Sequence, residues 1–408
     1  MGLFDRFQNI QQQFQRLKAS GDSPFTVQMQ QILSQTEAII EGRHTILMGT
    51  NNYLGLTFDK RCQEASIKAV RESGTGTTGS RIANGSYADH QGLEDDLAKF
   101  YDKKHCMVFS TGYQANLGII STLAGPDDFL LLDADSHASI YDGAKLGSAT
   151  VIRFRHNDAK DLNRRLLSLQ DKPGNKIIVI EGIYSMLGDK APLADFVAVK
   201  KKYANTYIIV DEAHSMGVLG KTGRGLCQED GVEADIDFVV GTFSKSLGAV
   251  GGFCVSDHPQ FEYLRLACRP YMFTASLPPA TMASVRTALK IVEQEPALRL
   301  RLWQNVEFFY HHLQQLGFRL GTTKSPVVPI YMPDPGTAFR FWQMLLHSGV
   351  YANMALPPAT PMGTALLRFS ICSAHQQDQL QKVVEIVKQV ADKISYFADK
   401  PLARMAVA

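Results

Sequence analysis

Lys245 stands between two serines in Gly241-Thr-Phe-Ser-Lys-Ser-Leu-Gly248, directly after the β-rich run Ile236–Val240. Asp211 follows a second such run, Thr206–Val210, and His214 comes three residues later. A primary amine at a strand end can form a Schiff base with an aldehyde. A carboxylate at a neighbouring strand end can pair with a pyridine nitrogen and keep it protonated, so that the ring accepts electrons. Together they describe a pyridoxal-phosphate (PLP) site, in which Thr242 and Ser244 can donate to the phosphate. Two further segments fit. Ser110–Asn116 opens a helix after the run Cys106–Phe109, and exposed N–H groups at a helix start bind phosphate. There Gly112 allows close backbone approach and Tyr113 can lie beside the ring. Leu132–Ser139 repeats the strand-to-helix pattern and carries His137, whose imidazole can stack on a pyridine face. Singly, each residue has a plainer reading: a capping aspartate, a solvated lysine, a histidine that starts a helix. Their shared place after strand-like runs argues for one site.

The elements that must position these residues alternate. Runs at Thr45–Met48, Cys106–Phe109, Phe129–Leu132, Val151–Phe154, Lys176–Ile180, Thr206–Val210 and Ile236–Val240 are separated by helical patterns such as Gln114–Leu123 and Asp158–Leu169. Several runs are continuously apolar, as strands covered on both faces are. The alternation predicts an α/β fold with a mostly parallel central sheet and helices on both faces. Ligands then sit beyond the carboxyl ends of the strands. After Pro278-Pro279 the pattern changes to one long helical stretch, Ala280–Gln315, two strand candidates, Val327–Tyr331 and Ala365–Ile371, and a last helix over Gln376–Phe397. The reading is an N-terminal helical segment (1–44), a large domain (45–285) and a smaller α+β C-terminal domain (286–408). In the first segment Phe4, Phe7, Ile10, Phe14 and Leu17 form an apolar helical stripe, for packing on the body or a partner, or for peripheral contact with a membrane.

Composition excludes other classes. The 408 residues are 45% hydrophobic and 20% charged, which is ordinary globular usage. With 42 basic against 40 acidic residues there is no electrostatic reason for a nucleic-acid partner. The six cysteines have neither metal-ligand nor redox spacing, which predicts free thiols, no metal, and a reducing cytoplasm. No signal-peptide pattern opens the chain, and no apolar run approaches the ~18 residues that span a bilayer. Gly74-Thr-Gly-Thr-Thr-Gly79 matches a dinucleotide fingerprint, but the helical pattern Cys62–Glu72 precedes it where a strand is required. Gly220-Lys-Thr222 lacks the first glycine of a phosphate loop: Ser215 stands there.

From about Asp22 to Lys388 the chain resembles the α-oxoamine synthases, a PLP-dependent fold type I family. The segments that carry the resemblance are Ser110–Tyr113, Leu132–Gly143, Glu181–Asp189, Val210–Gly217, Gly241–Ser246 and Arg269–Pro279. It implies that Lys245 holds the cofactor and moves protons at the substrate Cα. Asp211 would pair with the ring nitrogen, and His137 would stack on the ring and orient the substrate carboxylate. His214 and Ser185 would contact the phenolic oxygen. Gly112, Tyr113, Thr242 and Ser244 would hold phosphate and ring. Thr274 and Ala275 would reach the phosphate of a second subunit, which implies a homodimer with shared active sites. Arg368 would bind the substrate carboxylate, and Asn52 and Tyr53 would line the pocket. The implied reaction joins L-serine to a long-chain acyl thioester such as palmitoyl-CoA with loss of CO2, giving 3-ketosphinganine. Glycine or alanine as the amino acid, or an acyl-carrier-protein donor, remain alternatives. A dead regulatory subunit is disfavoured by the presence of Lys245. One position departs: serine-using bacterial members carry an arginine before two prolines where this chain has Leu356.

Overall fold

The computed structural model describes residues 2–397 except 9, 13, 14, 16–23, 25, 358, 359, 361 and 362. Its centre is a seven-stranded sheet made of β4 (His105–Phe109), β5 (Phe129–Asp133), β6 (Thr150–Phe154), β7 (Lys176–Glu181), β8 (Thr206–Asp211), β9 (Phe238–Thr242) and β10 (Gly252–Ser256). Their order is β4-β10-β9-β8-β7-β5-β6. Strands β6, β5, β7, β8 and β9 run parallel, while β10 lies antiparallel to both β9 and β4. Every residue of β7 and of β9 is buried, because helices cover both faces. Among those helices are α1 (Lys60–Ser73), α2 (Ala88–Tyr101), α3 (Gly112–Leu123), α4 (Ala138–Leu146), α5 (Ala159–Leu167) and α6 (Leu193–Lys200).

Strand β10 has no counterpart in the sequence reading. It is a five-residue strand, apolar over Phe253–Val255 behind Gly251-Gly252, and it returns the chain against the direction of its neighbours. The run expected at Ile236–Val240 starts two residues later, because 233–235 form a helical turn.

A second correction concerns the first 44 residues, expected to be helical. Residues 5–7 form a short 3-10 turn and 8, 10–12 and 15 are helical, as expected, but Met29–Ile32 (β1), Glu37–Ile40 (β2) and Arg43–Leu47 (β3) form an antiparallel meander. Glu41 and Gly42 both have positive φ, 50° and 72°, which is the two-residue turn that suits the twist of a hairpin. Alternating burial along β2 fits a sheet with one covered face. The run Thr45–Met48 therefore belongs to this meander and not to the parallel sheet. A domain boundary at residue 45 falls inside β3, which pairs in parallel with β12 (Val350–Tyr351). Of the apolar stripe, Phe4, Phe7 and Ile10 are exposed, as is Leu3 beside them; Phe14 and Leu17 lie outside the described residues.

The long helical stretch after Pro278 is two helices, α7 (Pro279–Gln294) and α8 (Pro296–Gln315), broken at Glu295. Pro296 cannot continue a helix that precedes it but is well placed in the first turn of the next. A boundary at 285 falls within α7. Beyond α8, β11 (Val327–Met332), β13 (Asn353–Ala355) and β14 (Ala365–Ser370) form a three-stranded sheet in the order β11-β14-β13. Helix α9 (Pro335–His347) packs with it, and α10 (Gln377–Lys393) packs on α8 and α9. Among the described residues no helix is long and apolar enough to cross a membrane. All six cysteines are buried and unpaired.

Candidate active site

A cavity of about 260 Å³ opens at the carboxyl ends of the strands. Thr111, Gly112, Tyr113, Asn116, His137, Ser139, Glu181, Asp211, His214, Thr242, Ser244 and Lys245 are among its lining residues. Most of these side chains arrive by the same device: a strand ends, and the next residues turn over its tip; Asn116 and Ser139 come from the helices that follow. Asp211 ends β8, Thr242 ends β9, and Glu181 ends β7. His137 is the N-cap of α4 and Thr111 the N-cap of α3, its hydroxyl accepting from Gln114 N at 3.1 Å. That leaves the amides of Gly112 and Tyr113 in a first turn, where a helix offers them no acceptor.

The acidic centre is tightly wired. Asp211 Oδ1 accepts from Ala213 N at 2.8 Å, and Oδ2 accepts from Asn116 Nδ2 at 2.7 Å. The same Nδ2 lies 3.0 Å from Ser139 Oγ, which lies 2.8 Å from His137 Nδ1. Because Nδ1 also accepts from Ser139 N at 3.2 Å, the proton of a neutral His137 sits on Nε2. Desolvation in the cleft lowers the His137 pKa, against the opposing pull of Asp211. Burial pushes His214 well below the usual range, and Lys245 and Arg368 add to the shift. His214 Nδ1 and Tyr53 OH are 2.7 Å apart, and burial raises the Tyr53 phenol to about 12. Burial also lowers the Lys245 amine to about 8, in part offset by Asp211 and Glu181. Glu181 itself is raised well above the carboxylate range by burial and by the charge of Asp211; its Oε1 accepts from His137 N at 2.6 Å.

The end of the cleft at the start of α3 leaves little room beside Gly112. A Cβ on Gly112 would come within 2.7 Å of Thr242 Cβ, so a side chain there would close the cleft. Thr242 Oγ1 lies 2.9 Å from Ser244 Oγ and donates to Gly251 O at 3.0 Å. Tyr113 OH bonds the Asp142 carboxylate.

Other expected residues lie around this cavity rather than in its wall. Arg368 sits mid-strand on β14 and donates from Nε to Ser185 O at 2.6 Å, from Nη1 to Ser370 Oγ at 3.0 Å and from Nη2 to Asn51 Oδ1 at 3.1 Å. Three of its five N–H groups are so used, and Tyr53 also hydrogen-bonds the guanidinium. Asn52 donates to Thr57 Oγ1 at 2.8 Å, while its buried Oδ1 has no protein donor. Thr274 and Ala275 do not line the cavity. Thr274 Oγ1 accepts from Gln114 Nε2 at 3.2 Å, and Phe273 beside it is 67% exposed. The Gly74–Gly79 turn follows α1, with no strand before it, and grips this segment: Ser276 Oγ lies 2.7 Å from Thr77 Oγ1 and bonds Gly85 O at 2.6 Å. Asn116, Ser139 and Glu181 had no assigned role in the sequence reading. Asn116 and Ser139 lie within helices, where no strand-end signal marks them.

A family model described as aminotransferase class I and II matches residues 43–387. The chain belongs to this PLP-dependent family. Within it, the chain groups with the α-oxoamine synthases. It is 56% identical over 404 residues to the serine palmitoyltransferase of Caulobacter vibrioides (strain NA1000 / CB15N), covering 99% of both chains. It is 51% identical over 385 residues to that of Sphingomonas paucimobilis, covering 94% of this chain and 91% of the other. The solved structure of the S. paucimobilis enzyme with a bound PLP–myriocin aldimine superposes with a TM-score of 0.95 at 49% identity, over 97% of this chain and 100% of that one. The fold is that of PLP-dependent fold type I enzymes, as the resemblance implied. The residues present fit PLP: a primary amine, a hydrogen-bonded carboxylate, free helix-start amides, and a glycine whose missing side chain keeps the cleft open.

Proposed function

We propose that this PLP-dependent enzyme condenses L-serine with a long-chain acyl thioester, palmitoyl-CoA in the first instance, to give 3-ketosphinganine, CoA and CO2. The observation that carries this reading is the identity of 56% over 99% of both chains with a serine palmitoyltransferase. The part built on the seven-stranded sheet binds the cofactor, and the C-terminal three-stranded sheet brings Arg368 to the substrate.

Bound PLP supplies an electron sink that stabilises negative charge at Cα. The protein's groups do the rest. Lys245 would hold the cofactor and then accept the Cα proton; with its pKa lowered to about 8, a useful fraction of the amine is neutral near pH 7. Asp211, fixed by Asn116 and the Ala213 amide, holds a proton on the ring nitrogen. Gly112, Tyr113, Thr242 and Ser244 take the phosphate, while His214 and Ser185 serve the phenolic oxygen. Neutral His137, with Nε2–H, orients the substrate carboxylate together with Arg368. Cα then bonds to the acyl carbonyl as the thiolate leaves, the carboxyl departs as CO2, and Lys245 returns a proton to Cα.

Glycine or alanine as the amino acid is the second reading, favoured by Leu356. This residue directly follows β13, the strand that pairs with Arg368's strand β14, and is half-buried against the core. Purified enzyme assayed with serine, glycine and alanine against acyl-CoA and acyl-carrier-protein donors, read by product mass, decides between them. No amino ketone from any pair would refute both.

The enzyme acts as a cytoplasmic homodimer with Thr274 and Ala275 completing the partner's phosphate site. Exposed Phe273, beside them, supports this reading. Sedimentation at micromolar concentration should give a dimer, and an active monomer would overturn it. Exposed Leu3, Phe4 and Ile10 support peripheral contact with the inner membrane face, which flotation with anionic vesicles tests.

A further inference from the structure

His156 lies outside the cavity wall and has no role in the reaction as derived above, yet it joins the two loops that carry His137 and Ser185. Its Nδ1 is 2.7 Å from Asp133 Oδ1 and its Nε2 is 2.6 Å from Asp189 Oδ2. Asp133 is the last residue of β5, fully buried, four residues before His137. It also accepts from Asp135 N at 2.9 Å and Asn157 N at 2.9 Å, so it fixes the start of the His137 loop. Asp189 closes the loop 182–189. There Tyr184 N donates to Asp189 O at 2.9 Å, and Ser185 O receives the Arg368 guanidinium. Asn157 Nδ2 adds a second bond to Asp189 Oδ2 at 2.8 Å.

Two bonds from two ring nitrogens to two carboxylates require both nitrogens to be protonated. The two acids hold that charge, raising the imidazole to about 10 although burial opposes it. The Tyr184 ring packs edge-on against the imidazole at 4.5 Å and shields it. Asp135 Oδ2, at 3.9 Å from Nδ1, is the remaining acid facing the group.

We infer that His156 is a positioning residue: a cationic clamp that sets the spacing between His137 and Arg368, the two groups that hold the amino acid carboxylate. The inference rests on the proposed amino acid chemistry. Without the imidazolium, Asp133 and Asp189 face each other unpaired and repel, so the loops separate. Small misplacement of binding groups is costly, ~100-fold for about 1 Å. The acyl donor, which those two groups do not hold, is insensitive to this spacing.

The test uses the PLP-loaded dimer, titrated with L-serine and followed by its visible spectrum, alongside the KM for palmitoyl-CoA. H156Q should retain cofactor and fold, need about tenfold or more serine for half-conversion, and keep its acyl-donor KM. D189N keeps a neutral acceptor and should shift serine in the same direction by less. The double variant, with a single acid left unpaired, should recover part of the loss. Folded, loaded variants with an unchanged serine titration would overturn the inference. So would equal losses for serine and acyl donor, or unfolding of both variants, either of which makes His156 a general structural residue. If the wild-type spectrum responds to none of serine, glycine and alanine, it is the proposed function that fails.

Discussion

Asn116 and Asp211 are 95 residues apart in sequence, and one amide nitrogen joins them across 2.7 Å. The same nitrogen continues through Ser139 to His137, so the carboxylate proposed for the ring nitrogen and the imidazole proposed to orient the substrate share one hydrogen-bonded anchor. Asn116→Ala should therefore weaken both. A hydrogen bond to a charged group is worth about 1.5–3 kcal/mol, roughly a ten- to hundredfold effect. We expect a fall of that size in kcat/KM with faster cofactor loss on dialysis. Wild-type kinetics in the variant would show that Asp211 does not depend on the amide.

Lys245→Ala should abolish turnover and the visible absorbance of the bound cofactor. The wild-type amine offers a further test in the cofactor-free protein. Its pKa is lowered from 10.5 to about 8 by burial. The neutral amine is the reactive form, so PLP capture should be slow below pH 8, rise through it, and level off above. A midpoint near pH 10, read by stopped-flow absorbance, would mean the amine is solvated.

His137→Ala should still load cofactor, since no phosphate contact is lost, but should mishandle the amino acid. Its product mixture should include transamination, seen as a pyridoxamine spectrum after incubation with serine. An unchanged product distribution would reduce His137 to the capping role it plays on α4.

Leu356→Arg tests the departure from the serine-using relatives. A guanidinium on a carboxylate contributes about 1.5–3 kcal/mol. The variant should then reach half-conversion with L-serine at a concentration at least tenfold lower. If instead acyl-donor KM rises and serine is unaffected, Leu356 serves the acyl chain.

The site was legible in sequence where a strand ends in a polar residue. Asp211 after Thr206–Val210, Lys245 after the β9 run, and Gly112 and His137 at helix starts all carry that signature, and all four meet at one cavity. Asn116 carries none: it lies inside α3, and only the packing of α3 over β9 and β10 turns an ordinary helical amide toward Asp211. Glu181 reads as the polar end of an apolar strand, without its pairing to Asp211 across β7 and β8. Strand β10 is hidden because its apolar stretch, Phe253–Val255, is only three residues long between glycine and serine. The meander β1–β3 was missed although Glu41-Gly42 is a hairpin turn, because its covering partner, β12, lies some three hundred residues later. His156 reads as one loop histidine among several, since its two acids arrive from separate loops.

The parallel pairing of β3 with β12 has a consequence for synthesis. Ile46 and Leu47 leave the ribosome early, yet their ladder partners, Val350 and Tyr351, come near the end. The central sheet is complete by Ser256, so it can form while the nascent meander still lacks its edge. During that interval an unpaired strand edge and the apolar residues Ile40, Ile46 and Leu47 stand open to neighbouring chains. Pulse-labelled translation should find the early meander protease-sensitive until the chain has passed residue 351, making this edge the point at which chaperones are needed.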